Sequence, residues 1–304
     1  MYKNAVVFPG QGSQSVGMLA DIISEYSVAK ETLQQADEVL GFKLSDLILN
    51  GPAEELNSTN NTQPALVAVE VATWRALNGA IKADVMAGHS LGEYSALVCA
   101  GALSFKDALL LVRRRGELMQ KAVPNGVGAM AAILGMEDEK VEAVCLDCAQ
   151  GQVVQAANYN SPGQLVIAGN KEAVERAVVA CKEAGAKRAM LLPVSGPFHS
   201  ALMEPAAVEF KSYLADFEIN NPSIPVLQNA TNTFEQDAQQ IRENLVKQIA
   251  SPVRWTQSVL QLADNGVENL IEVGPGKVLT GLNKRIAKQL NSQTVHSVES
   301  LQAV

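Results

Sequence analysis

Hydrophobic positions along this chain follow two rhythms. Short apolar runs at 5–8, 84–87, 224–228 and 268–273 have the length of buried strands. Between them, apolar residues recur at helical spacing over 28–40, 62–77, 90–101, 106–122, 238–250, 253–264 and 277–289, as on helices with one buried face. Strand and helix patterns alternating in this way predict an α/β fold, a mostly parallel sheet covered by helices.

The middle of the chain breaks that alternation. It reads as a strand over 128–135, a helix over 138–149, strands over 153–158 and 164–168, a helix over 172–184 and a strand over 187–194. Tyr159-Asn160-Ser161-Pro162-Gly163 reads as a turn-rich loop between the paired strands. The order β-α-β-β-α-β is that of a ferredoxin-like unit. The expected organisation is a large α/β subdomain from 1–124 and 197–304, with a ferredoxin-like small subdomain inserted over 125–196.

Composition narrows the class. A chain of 304 residues with 47% hydrophobic and 18% charged residues is globular rather than disordered. Its formal net charge of −8 argues against nucleic acid as a partner, because phosphate binding wants a basic face. No apolar run approaches the ~20 residues of a membrane span. The first run, Ala5 to Phe8, is too short for a signal peptide, so a cytoplasmic location is the expectation. Cys99, Cys145, Cys148 and Cys181 are too few for a disulfide framework. Cys145 and Cys148 form C-x-x-C without a second pair or nearby histidine, so no zinc site is expected. Gly10-Gln11-Gly12 follows a strand, but Ser15 stands where a dinucleotide fingerprint needs glycine.

Candidate chemistry concentrates at Gly88-His89-Ser90-Leu91-Gly92. This G-x-S-x-G lies between the apolar run ending at Ala87 and a helix-forming run from Glu93 to Ala100. Strand, sharp turn and helix are the setting of a nucleophile elbow. Side chains at 88 and 92 would clash where the backbone doubles back. Ser90 is expected to stand exposed at the turn, facing free N–H groups at a helix N-terminus, where an oxyanion would be stabilised. A plain tight turn is the alternative, and the strand–helix context argues against it.

A serine hydroxyl needs a base, and the chain has three histidines. His89 adjoins Ser90 in the turn and is expected to point away from it. His296 falls in an edge-strand pattern near the C-terminus. His199 lies in Val194-Ser195-Gly196-Pro197-Phe198-His199-Ser200, a loop at the subdomain junction, where a base belongs. A surface-loop histidine is the other possibility there. Arg115 falls in the middle of an apolar helical stripe formed by Ala108, Leu111, Val112, Leu118 and Met119, whereas Arg113 points nearly opposite. A guanidinium on a buried face needs an anionic partner. Position alone leaves open whether that is a core carboxylate or a substrate.

Several motifs occur together and in order: Phe8-Pro9-Gly10-Gln11-Gly12-Ser13-Gln14, Thr62-Gln63-Pro64-Ala65-Leu66, Gly88-His89-Ser90-Leu91-Gly92-Glu93, Arg115-Gly116, Asn158-Tyr159-Asn160-Ser161-Pro162-Gly163-Gln164, Phe198-His199 and Glu272-Val273-Gly274-Pro275-Gly276. From about residue 5 to about residue 290 the chain resembles the malonyl-CoA:acyl carrier protein transacylases of type II fatty acid synthesis. The resemblance implies a hydrolase-like core and a ping-pong acyl transfer. Ser90 would attack malonyl-CoA, with His199 as general base. The malonyl group would rest as an ester on Ser90 until the phosphopantetheine thiol of acyl carrier protein removes it. The backbone N–H groups of Gln11 and Leu91 would form the oxyanion hole, and the backbone carbonyl of Gln248 would orient His199. Arg115 would grip the malonyl carboxylate with two hydrogen bonds. Phe198 matches the malonyl-selective pattern, and Asn160 either reaches the cleft or serves the turn.

No cofactor or catalytic metal is expected, because serine and histidine supply nucleophile and base and phosphopantetheine arrives on the carrier. A monomer is the default. Lys284, Arg285 and Lys288, or Lys182, Lys187 and Arg188, are candidate basic patches for an acidic carrier. A serine esterase or thioesterase would use the same elbow with water as acceptor. An acyltransferase for another carboxylated extender unit would share Arg115. A non-catalytic carrier-docking protein would be expected to lack Ser90, His199 or Arg115, and all three are present.

Overall fold

The computed structural model describes residues 2–194 and 196–304; Met1 and Ser195, the latter in the expected junction loop, lie outside the described residues. The apolar runs become β1 (Asn4–Phe8), β2 (Val85–Gly88), β7 (Val226–Leu227) and β9 (Asn269–Val273). With β8 (Phe234–Glu235) and β10 (Asn291–Val295) they form a sheet in the order β10-β9-β1-β2-β7-β8. Every pair in it is parallel except the β7–β8 hairpin. The central strands are buried on both faces, which is why they read as continuous apolar runs. Val6, Phe8 and Met86 face one core with the Thr59–Leu77 and Phe105–Lys121 helices. Ala5, Val7, Val85 and Ala87 face the other, with the Trp255–Asp264 and Val278–Ile286 helices.

A second, antiparallel sheet holds β3 (Gly128–Leu134), β4 (Val154–Ser161), β5 (Gln164–Asn170) and β6 (Arg188–Leu191) in the order β4-β5-β3-β6. The Asp138–Ala149 and Lys171–Glu183 helices share its separate core. This is the ferredoxin-like unit, inserted between a helix and a loop of the α/β core. The two parts are tied by backbone: Tyr159 N–H donates to the Val253 carbonyl at 2.9 Å, and Val253 N–H to the Ala157 carbonyl at 2.8 Å.

Three expectations are corrected. The strand expected over 224–228 keeps only Val226–Leu227, because Pro225 has no N–H to give the ladder. The strand expected over 187–194 stops at Leu191, two residues before Pro193. The expected loop Tyr159–Gly163 is mostly strand: β4 runs to Ser161, and only Pro162-Gly163 turns, with Gly163 at φ 72°. Register shifts between Ala156 and Asn158 and between Tyr159 and Ser161 mark bulges, and the second leaves Asn160 unpaired. The helix Glu204–Leu214 was missed because half its buried face is alanine. No helix of the described residues is long and apolar enough to cross a membrane.

Candidate active site

β2 ends in the elbow. A Cβ on Gly88 would sit 1.9 Å from the Gly92 carbonyl carbon, and one on Gly92 would sit 2.1 Å from the Phe8 carbonyl oxygen. Neither position admits a side chain, so the motif's two glycines are steric requirements. Ser90 takes φ 50°, a left-handed conformation that most residues avoid. Asn229, just beyond β7, holds it there. Its Oδ1 accepts from Ser90 N–H at 2.7 Å, its Nδ2 donates to the Gly88 carbonyl at 2.8 Å, and its own N–H donates to Glu93 at 2.7 Å. Asn229 belongs to no motif of the sequence; its one signal there is its place at the carboxyl end of a strand. Asn229→Ala strips partners from two buried backbone groups, each worth about 1–3 kcal/mol. It should cost at least ~2 kcal/mol in urea unfolding; a loss under ~0.5 kcal/mol would show that the elbow holds itself.

Ser90 is 9% exposed, at the floor of a cleft rather than proud of the surface as expected. His199 reaches it from the junction loop, also in the left-handed region at φ 59° and only 4% exposed. Its Nε2 lies 2.8 Å from Ser90 Oγ. Its Nδ1 lies 3.0 Å from the Gln248 carbonyl and 3.1 Å from that of Ser251. Carbonyls only accept, so in the neutral ring Nδ1 carries the proton and Nε2 turns its lone pair to the serine hydroxyl. Burial, then the charge of Arg115, push the imidazole down to about 3. Ser251 was not anticipated.

Arg115 projects from the Phe105–Lys121 helix to the same point, 1% exposed. Its Nη2 donates to Ser90 Oγ at 3.0 Å and to Gln248 Oε1 at 2.9 Å, and its Nη1 to Gln63 Oε1 at 2.8 Å. Gln248 Nε2 in turn donates to the Ser90 carbonyl at 3.0 Å. Among the described residues no carboxylate forms an ion pair with Arg115. Burial pushes the nearby Glu93 up to about 7, so that group is no firm counter-ion. Gly116 explains how the helix comes so close: a Cβ there would lie 2.7 Å from Asn60 Cα. Pro64 lacks the N–H that would bond the Asn60 carbonyl, and Arg113 Nη1 takes that acceptor at 3.2 Å. Arg113 also bonds Asn61 and Glu117 and lies over the Phe42 ring, so it joins two helices and is not the indifferent opposite face that the sequence suggested.

A cavity of about 200 Å³ opens over these groups, lined by Met119, Met130, Val166 and Phe198 among others. Gln11 and Leu91 line it too, and among the described residues neither backbone N–H has an acceptor within the chain. Asn160, displaced from the ladder by its bulge, enters from the small sheet. The His89 side chain makes no hydrogen bond to Ser90; it lines the cavity, with Nε2 2.9 Å from Asn160 Oδ1 and its ring 5.8 Å from that of Trp255. His296 lies one residue past edge strand β10, and it does not line this cavity. Among the described residues no cluster of three or more His, Cys, Asp or Glu gathers that could hold a metal.

Such a site can activate a serine, stabilise an oxyanion and receive an anionic group. The Acyl transferase domain family matches residues 5–303. The malonyl CoA-acyl carrier protein transacylase of Haemophilus influenzae is 55% identical over all of this chain and 98% of its own, and that of Escherichia coli K12 is 53% identical over 100% and 99%. An acyl carrier protein S-malonyltransferase from Vibrio cholerae superposes with a TM-score of 0.97 at 58% identity, covering 99% of each chain. A malonyl-transacylase in complex with its type II PKS acyl-carrier protein matches at 52% identity and TM-score 0.97, over 99% of this chain and 98% of that one. The chain is an acyltransferase, and it belongs to the family of malonyl CoA-acyl carrier protein transacylases.

Proposed function

We propose that this chain transfers the malonyl group from malonyl-CoA to the phosphopantetheine thiol of acyl carrier protein, through a malonyl ester on Ser90. His199 Nε2 takes the hydroxyl proton as Oγ attacks the thioester carbon. The N–H groups of Gln11 and Leu91 hold the oxyanion. The C–S bond breaks and the imidazolium returns its proton to the departing thiolate. In the second half the carrier thiol gives its proton to His199 and attacks the ester, and Ser90 recovers its hydrogen. The backbone carbonyls of Gln248 and Ser251 hold the ring in the required tautomer throughout. Arg115 carries the choice of acyl group, because a buried guanidinium 3.0 Å from the nucleophile, with no ion-paired carboxylate, suits a short carboxylated chain. Close relatives bear the corresponding name, which supports the same substrates.

These steps need no cofactor beyond the phosphopantetheine on the carrier. We place the enzyme in the cytoplasm as a monomer. The carrier would dock on one of the two exposed basic patches, Lys284, Arg285 and Lys288 or Lys182, Lys187 and Arg188. Intact mass spectrometry after malonyl-CoA, then after added carrier protein, tests the whole reading. The expected result is a malonyl adduct on Ser90 that moves to the carrier. An adduct lost as fast to water as to the carrier thiol would make the protein a hydrolase.

The acylation rate should also be insensitive to pH where free histidine titrates. Because the folded-state value of His199 is lowered from 6.5 to about 3, the base is fully neutral above that and loses competence only as pH falls toward it. Rapid-quench kcat/KM for malonyl-CoA, which reports the free enzyme, should therefore stay level from pH ~8 to ~5. Glu93, raised by burial to about 7, also titrates in this window. A fall centred near 6.5 that persists in Glu93→Gln would show that His199 is not the depressed, buried base described.

A further inference from the structure

We propose that Arg115 is a latch on the nucleophile: in the empty site its guanidinium holds Ser90 Oγ, and the carboxylate of an incoming acyl group frees Ser90 by drawing the guanidinium onto itself. This rests on the malonyl-transfer function and assigns Arg115 a role besides grip. A guanidinium offers a carboxylate two edges, end-on through Nη1 and Nη2 or side-on through Nε and Nη2. Both edges include Nη2. That nitrogen has two hydrogens, and both are engaged, one by Ser90 Oγ at 3.0 Å and one by Gln248 Oε1 at 2.9 Å. Nε is buried and has no acceptor among the described residues. A side-on grip would satisfy Nε, and it must take a hydrogen of Nη2 from Ser90 or from Gln248.

Two effects make the latched serine slow. The hydrogen bond from a cation draws on the Oγ electron density that attack requires. Proton transfer to His199, 2.8 Å from Oγ, would also create an imidazolium beside a desolvated guanidinium that has no ion-paired carboxylate. The facing groups offer little relief. The Gln63 and Gln248 amides are neutral, His89 is a further base, and Glu93 is held near 7. A malonyl carboxylate removes both obstacles at once. An acetyl chain removes neither.

The carboxylate need not be joined to the acyl group for this to work. Acetyl-CoA with added formate supplies the two halves separately. In acetylation the Oγ–C bond forms, the thioester C–S bond breaks, and the hydroxyl proton passes through His199 to the coenzyme A thiolate, so formate enters only as an anion. Burst acetylation of Ser90 in the wild-type protein should rise roughly tenfold with formate, about one charge-assisted hydrogen bond, and should saturate. Arg115→Ala should start faster than wild type without formate and should not respond to it. A wild-type acetylation rate that formate leaves unchanged or lowers, while malonyl-CoA still esterifies Ser90, would overturn the latch and leave the function standing. Absence of the malonyl ester itself would overturn both. The wild-type formate response decides without the variant, should Arg115→Ala fail to fold.

Discussion

Ser90→Ala is expected to fold and to form no malonyl ester, and His199→Ala to slow ester formation by roughly 10²–10⁴-fold. The first change deletes one oxygen. Alanine meets the same left-handed strain as serine at φ 50°, and the elbow's bonds to Asn229 run through the backbone of 88 and 90. What is lost is the only hydroxyl in hydrogen-bond reach of both His199 and Arg115 among the described residues. The second change removes the acceptor of the hydroxyl proton and leaves the Gln248 and Ser251 carbonyls to water. Intact mass on the quenched variants checks both. A malonyl adduct persisting on Ser90→Ala, or mapping to Cys99, would dismiss the serine. Comparable losses in His89→Ala or His296→Ala with little loss in His199→Ala would dismiss the base.

The elbow was legible because its constraint is local. Two glycines, a strand and a helix within a dozen residues dictate one backbone path, and the path dictates where Ser90 points. The α/β core and the ferredoxin-like insert were legible for a similar reason: burial on both faces writes continuous apolar strands, and a covered sheet face writes stripes. Arg115 stood out because a cation in an apolar stripe contradicts its surroundings.

What was hidden depends on contacts between distant segments. Asn229 lies 139 residues from the Ser90 N–H that it accepts, and only its place just past the end of an apolar run marks it. Ser251 reaches His199 because β4 binds Val253 two residues on, a pairing that no pattern in either segment announces. The β4 bulge reversed the role of Tyr159-Asn160: a stretch that looks like loop chemistry is strand, and the irregularity turns Asn160 to the cleft. The depressed basicity of His199 needs both its burial and its distance from Arg115. Arg113 misled because helix geometry gives the angle of a side chain and not its neighbours.

Arg115→Ala should abolish most of the preference for malonyl over acetyl groups, which in the wild-type protein is expected to be at least ~10²-fold. A carboxylate gripped by a planar fork gains two charge-assisted hydrogen bonds, about 1.5–3 kcal/mol each. Against this stand the bonds that Arg115 already makes to Ser90 and Gln248, at least one of which must be given up, and the desolvation of the incoming carboxylate. These losses place the preference nearer the lower end of what two bonds allow. Acetyl-CoA brings a methyl group to the same place and leaves the guanidinium as it was. In Arg115→Ala malonyl transfer should collapse, because its carboxylate would enter a buried site without a partner. Acetyl transfer should rise, because no guanidinium then holds Ser90 Oγ. Arg115→Lys should restore only part of the preference, since an ammonium offers a point charge rather than a fork. Lys106→Ala, exposed on the same helix, is a sounder control than Arg113, which holds two helices together. The measurement is kcat/KM for both thioesters in all four proteins. A malonyl-to-acetyl ratio unchanged in Arg115→Ala would reduce this residue to a structural cation, and the selectivity would then have to come from the apolar wall that includes Met119, Met130 and Phe198.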